Sequence, residues 1–103
     1  MEYQFDWDAK KDKTNRRKHQ VSFRQAASVF RDPNQLSIFD GDHSEEEDRW
    51  ITLGLDSVGV IRVVVHTFQS VTEDLCKIQI ISARIAESDE QAQYLEMQDE
   101  SEV

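Results

Sequence analysis

The chain has 103 residues, 38% hydrophobic and 32% charged, with a net charge of −9. That is enough for one hydrophobic core but not two, and the apolar residues cluster too regularly for disorder throughout. Cys76 is the only cysteine, which excludes an internal disulfide and a paired-cysteine metal knuckle, and the longest apolar run, 61–65, is broken by Arg62, which leaves no membrane-spanning helix.

Charge is distributed unevenly. Residues 1–31 carry eight Lys/Arg against four acids, a net +4, so residues 32–103 carry −13. Such polarity fits a basic end that meets something anionic, and equally a solvated helix face. The first residues, Met1-Glu2-Tyr3-Gln4-Phe5-Asp6, have neither the basic nor the apolar region of a secretion signal, so a cytoplasmic setting is expected.

Tyr3, Phe5 and Trp7 alternate with Gln4 and Asp6, which predicts a short half-buried strand. Asp8 suits the N-cap of a helix to about residue 18, almost wholly polar and therefore held by packing at its ends, with Trp7 as a staple. Ser22 and Gln25 form a capping box ahead of Phe23, Ala26, Ala27 and Phe30, the i, i+3, i+4, i+7 stripe of an amphipathic helix that Asp32-Pro33-Asn34 ends. Leu36, Ile38 and Phe39 make a short strand, followed by an acidic loop over 40–48, in which Ser44 and Glu47 are placed to cap a helical turn.

A strand over 49–55 puts Ile51, Leu53 and Leu55 on one face and Trp50 and Thr52 on the other, and residues 56–59 form a turn with Gly59 free to take positive φ. Residues 60–67 are β-branched on both faces, as a central strand would be, and residues 75–83 make a further strand with Cys76, Ile78 and Ile80 on one side. Ser88 and Gln91 form a second capping box for a short helix carrying Ala92 and Leu95. The reading is an α+β fold: an antiparallel sheet of about four to five strands with two N-terminal helices and one C-terminal helix on one face. One domain is expected over residues 1–98, with a disordered acidic tail over 99–103.

Three histidines and several arginines are chemically interesting. His19 ends the first helix, as a cap favoured by the helix dipole or as a functional imidazole. His43 sits among the carboxylates of the acidic loop, but their spacing is not that of a calcium loop and a solvated loop accounts for it, so no metal site and no cofactor are expected. His66 ends the central strand, where it is either half-buried or a proton donor. Arg49, Arg62 and Arg84 are candidates for holding developing negative charge, or simply ion pairs with the abundant acids.

The order Phe5, Trp7-Asp8, Lys11, Asn15, Lys18-His19, Val21-Ser22-Phe23 resembles the N-terminal signature of the BrnT toxins of bacterial type II toxin–antitoxin pairs. The later pieces Ala26-Ala27, Val29-Phe30, Asp32-Pro33, His43-Ser44, Glu47, Arg49, Gly54 and Ile80-Ile81-Ser82-Ala83-Arg84 follow the same pattern, so the resemblance runs over about residues 3–95. It implies a RelE-like fold and a metal-independent endoribonuclease, neutralised by a ribbon-helix-helix, BrnA-like antitoxin through which alone it would meet DNA. On that basis His19, Arg49, His66 and Arg84 are the expected catalytic residues, and Lys11, Lys18 and Arg62 the expected RNA-binding ones. Lys18, His19, Arg49, His66 and Arg84 would then converge on one concave surface, while the basic first helices meet an acidic segment of the antitoxin beside an apolar anchor such as Phe39 or Trp50. Three departures favour an alternative, an attenuated or silent antitoxin-binding homologue: Gln20 replaces the family's glycine, Gln79 replaces an arginine, and residues 85–90 are acidic where the family is basic.

Overall fold

The structure is a computed structural model that describes residues 2–43 and 47–101, with the backbone alone for 99–101. The expected capping turn at Ser44 lies outside the described residues.

Strand β1 (Glu2–Asp6) leads through Asp8 into helix α1 (Ala9–His19). The Asp8 carboxylate accepts from the amides of Lys10 and Lys11, as the N-cap reading requires, and those bonds hold its pKa below the usual carboxylate value. Gln20 closes α1 at φ +54°, donating its amide to Arg16 and its side-chain Nε2 to the Arg17 carbonyl. A glycine would take this left-handed conformation without the steric cost that a Cβ brings.

Helix α2 (Phe23–Ala27) begins where Ser22 Oγ accepts from the Gln25 amide at 3.0 Å. The Gln25 side chain does not complete the box; it reaches across to Ser57 Oγ instead. The helix tightens into a 3-10 turn over Ser28–Arg31, so the expected stripe is split between two helical forms, yet Phe23, Ala26 and Phe30 are all buried.

The sheet contains β2 (Leu36–Phe39), β3 (Arg49–Leu55), β4 (Ile61–Thr67), the two-residue β5 (Gln69–Ser70) and β6 (Leu75–Ile85), in the order β1-β6-β4-β3-β2 with β5 also on β6. β4 is central, as its two-sided apolar pattern indicated. The sheet is mixed, not antiparallel throughout, because β1 pairs with β6 in parallel, from Glu2↔Leu75 to Asp6↔Gln79. Side-chain alternation is the same for either direction, so the sequence pattern could not distinguish them.

Parallel entry has a consequence for the next element. The chain leaves β1 level with Gln79 and advances beside β6, so α1 takes over the sheet edge that β1 leaves. There Asn15, 5% exposed, donates Nδ2 to the carbonyl of Ala83 at 2.8 Å and accepts from its amide at 3.1 Å, in the manner of a neighbouring strand. The same Nδ2 donates to the Val21 carbonyl, and Asp12 accepts the Phe23 amide, which ties the α1–α2 corner down.

α1, α2 and the 3-10 turn cover one face, burying Phe23, Val29, Phe30, Val64, Ile78, Ile80 and Ala83. Gly54 lies on that face because a Cβ there would come within 2.7 Å of Val29 Cγ1. Helix α3 (Ser88–Ser101) covers part of the opposite face, packing Tyr94 with Leu53, Val63 and Ala86, so the helices are not confined to one side. The Tyr94 hydroxyl donates to Asp32, and burial together with this carboxylate pushes its pKa up to about 12. Three details of α3 differ from expectation. Glu90 reaches back to the Glu87 amide, which puts the cap at Glu87 one residue before Ser88, and Leu95 is exposed while Tyr94 is buried. The helical backbone also continues past residue 98 to Ser101.

Asn15→Ala leaves the Ala83 amide and two carbonyls without partners inside the protein. Each orphaned group costs about 1–3 kcal/mol, so a loss of about 3 kcal/mol is expected in urea unfolding, and a loss below about 1 kcal/mol contradicts the edge-docking role.

Candidate functional site

Side chains of α1 and the adjoining stretch of β6 make a cleft of about 380 Å³ lined by Lys10, Lys11, Thr14, Asn15, Lys18, His19, Ile81 and Ser82. Helical spacing explains the α1 set: residues 11, 14, 15 and 18 fall on one side of a 3.6-residue repeat. A register shift explains the β6 set. Val65 pairs with Ser82 but His66 with Ile80, so Ile81 is the extra residue of a bulge and turns toward the cleft. No carboxylate lines it, so on an acidic chain this is a local concentration of positive charge. Three expected site residues, Lys11, Lys18 and His19, therefore meet here.

The other expected residues lie elsewhere. Arg62 donates Nε to Asp56 at 2.9 Å, with only 12% of its side chain exposed and none of Asp56's. Asp56 also accepts from the Val58 and Val60 amides, and although burial opposes ionisation, these bonds keep its pKa below the usual value. Arg62 is thus built into the β3–β4 turn.

Arg84 is held by Glu90 through two bonds, at 2.8 and 3.0 Å. That bidentate pair raises the arginine's pKa and lowers the glutamate's. Arg49 starts β3 opposite Thr67, on the same sheet face as Arg84 opposite Val63. Four residues of β4 separate those levels, roughly 13 Å along the strand at about 3.3 Å per residue.

His66 lies on the opposite face, 2% exposed, edge-on to Phe30 with ring centroids 4.8 Å apart. The five residues expected on one surface are therefore distributed over both faces and one edge. Strand alternation and the parallel β1 separate them.

His66 belongs to a polar chain that sequence reading missed. Its Nδ1 donates to the Thr67 carbonyl at 2.9 Å, which leaves Nε2 to accept from Thr52 Oγ1 at 2.6 Å; Thr52 in turn accepts from Ser37 Oγ at 2.8 Å. This fixes one neutral tautomer, and burial lowers the pKa of the imidazole. The only sequence signal was the placement of Thr52 on the Trp50 face; its pairing with Ser37 and Val64 follows from strand register. Beside this chain lies an aromatic pocket of about 200 Å³, walled by Tyr3, Phe30, Trp50 and Phe68.

Among the described residues, no group of three or more His, Cys, Asp or Glu is placed to hold a metal ion, and no helix is long and apolar enough to cross a membrane.

The fold is shared with a solved structure. The 1.1 Å crystal structure of the Brucella abortus ribonuclease toxin BrnT superposes with a TM-score of 0.58 at 20% identity, covering 85% of this chain and all of that one. A profile of the family described as "Ribonuclease toxin, BrnT, of type II toxin-antitoxin system" matches residues 7–90. The chain belongs to the BrnT family of type II toxin–antitoxin ribonuclease toxins. No curated protein matches its sequence.

Burial of neutral His66 has a signed consequence. An unfolded imidazole takes up a proton as pH falls through its ordinary value of 6.5, whereas the folded one resists until lower pH. Folding stability therefore falls with acidification across that window. Urea unfolding at pH 7 and pH 5 should show a smaller acid loss for His66→Gln than for the unaltered protein, and equal losses would contradict a buried neutral imidazole.

Proposed function

We propose that this chain is a cytoplasmic endoribonuclease toxin that cleaves RNA without a metal ion and is neutralised by a ribbon-helix-helix, BrnA-like antitoxin. The observation that carries the reading is the carboxylate-free cleft along α1 in a protein of the BrnT family. Lys11 and Lys18 bind consecutive phosphates there, and the imidazole of His19 exchanges protons. The ribose 2′-oxygen attacks the adjacent phosphorus as its proton is removed. The bond to the 5′-oxygen then breaks and that oxygen is protonated, leaving a 2′,3′-cyclic phosphate and a 5′-hydroxyl. The family resemblance assigns the phosphorane charge to Arg49 and Arg84 and a second proton transfer to His66. These lie on the two faces of the sheet, so of the four only His19 is placed to act on a phosphate held in the cleft. Arg62 contributes to phosphate attraction only as the cationic half of its ion pair. DNA is reached through the antitoxin alone.

Binding of a single-stranded RNA oligonucleotide tests the cleft. Each phosphate contact contributes about 0.7 to the slope of log affinity against log salt, so Lys11→Glu with Lys18→Glu should lower that slope by roughly 1.4. An unchanged slope rejects the cleft, and cleavage that disappears in EDTA rejects the metal-free reaction.

A second reading, an attenuated toxin that acts chiefly by binding its antitoxin, is favoured by the bidentate hold of Glu90 on Arg84. A guanidinium already satisfied by a carboxylate has less to offer a phosphorane. Glu90→Gln should then raise RNA cleavage about tenfold, the effect of recovering about 1.4 kcal/mol of transition-state stabilisation. No gain, with Arg84→Ala equally silent, excludes Arg84 from catalysis.

A further inference from the structure

We propose that the aromatic pocket beside His66 is the anchor site for the antitoxin, and that it takes one bulky apolar side chain from a basic segment of that partner. The inference rests on the antitoxin reading above and adds to it the surface and the partner's chemistry. The pocket is concave and predominantly apolar, with Gln35, Ser37 and His66 as polar groups at its wall, and its volume of about 200 Å³ is that of a single large side chain. Tyr3 and Phe68 at its wall are 38% and 40% exposed. Phe39, Trp50 and Phe68 continue it outward as a row of rings, 5.3 and 6.4 Å between centroids. Clustered, partly exposed aromatics around a cavity are the usual form of an interface hot spot.

Charge selects the occupant. No lysine or arginine lines the pocket. Phe68 also forms one wall of an adjoining depression of about 360 Å³ lined by Glu47 and Asp48. Asp40 follows Phe39 at the end of β2. A nucleotide seated here would bring its phosphates against carboxylates, whereas lysines or arginines flanking an apolar anchor would find complementary charge. A second copy of this chain fits poorly through its own basic helix, because α1, Ala9–His19, carries no large apolar side chain to fill the pocket. The cleft and the pocket share no lining residue, so the anchor site is distinct from the basic cleft. This reverses the sequence expectation of an acidic partner segment on the basic helices.

The test is calorimetric and kinetic titration of the toxin with the purified product of the neighbouring reading frame. Phe68→Ala removes an exposed wall and should weaken binding at least tenfold, mostly through faster dissociation. Glu47→Lys with Asp48→Lys alters surface charge only; it should slow association by about tenfold at low salt, with the difference lost near 1 M salt, where the screening length is about 3 Å. Lys11→Glu with Lys18→Glu should leave the dissociation rate of the complex unchanged. Failure of the unaltered pair to associate at micromolar concentration overturns the antitoxin reading itself. Association that survives both the Phe68 and the Glu47/Asp48 changes overturns this surface and leaves that reading standing. If the same variants instead lose single-stranded poly(U) binding with antitoxin affinity intact, the pocket is a base-stacking site and the proposal is wrong.

Discussion

A sheet edge must satisfy its backbone groups, and in this protein a single carboxamide does so where a strand leaves off. β1 covers β6 as far as Gln79, and beyond that point the outer amide and carbonyl of Ala83 turn to Asn15. Everything near the basic cleft follows from that attachment. It sets the distance and rotation of α1, and hence which lysines face Ile81 and Ser82. Through the Val21 carbonyl it also fixes the corner that delivers Phe23 and Phe30 to the core. An alanine would fit the space but leave buried donors and acceptors unpaired, the costly outcome in a low-dielectric interior.

The second organising fact is where positive charge is spent. A chain of net charge −9 has few cations, and two arginines outside the N-terminal helices are fixed by carboxylates of their own chain. The Asp56–Arg62 pair belongs to the β3–β4 turn, and the Arg84–Glu90 pair joins β6 to α3. Such pairs orient elements more than they stabilise them, since desolvation offsets much of the attraction. Their effect on anion binding is more direct, because each guanidinium arrives with a compensating carboxylate. The α1 cleft differs in having no acid among its lining residues.

Two surfaces of opposite character therefore coexist on a small domain. The basic one is the more open and is built on a helix; the aromatic one is more enclosed, apolar and neighboured by acids. Separation suits the two proposed roles, because the requirements of phosphate attraction and of an apolar anchor conflict in one place.

Local pattern in the sequence determined the elements and their caps: Asp8 and Ser22 start helices because a side-chain oxygen reaches amides two or three residues away, and β4 is central because it is apolar on both faces. Family membership was also legible, since the motif from Trp7 to Arg84 is collinear. The sequence could not reveal the direction of β1 or the bulge at Ile81, because each depends on which hydrogen bonds form between segments far apart in the chain. The one-residue shift of the last helix cap is local, a choice between two overlapping capping boxes that Glu90 decides by reaching back to the Glu87 amide. The same long-range pairing put His66 against Thr52 and Phe30, whereas Arg62 with Asp56 and Arg84 with Glu90 are pairs only six residues apart, set by the course of the chain after each strand. Residue type supplies the chemistry a side chain can perform; strand register and parity decide which other side chains it performs it beside.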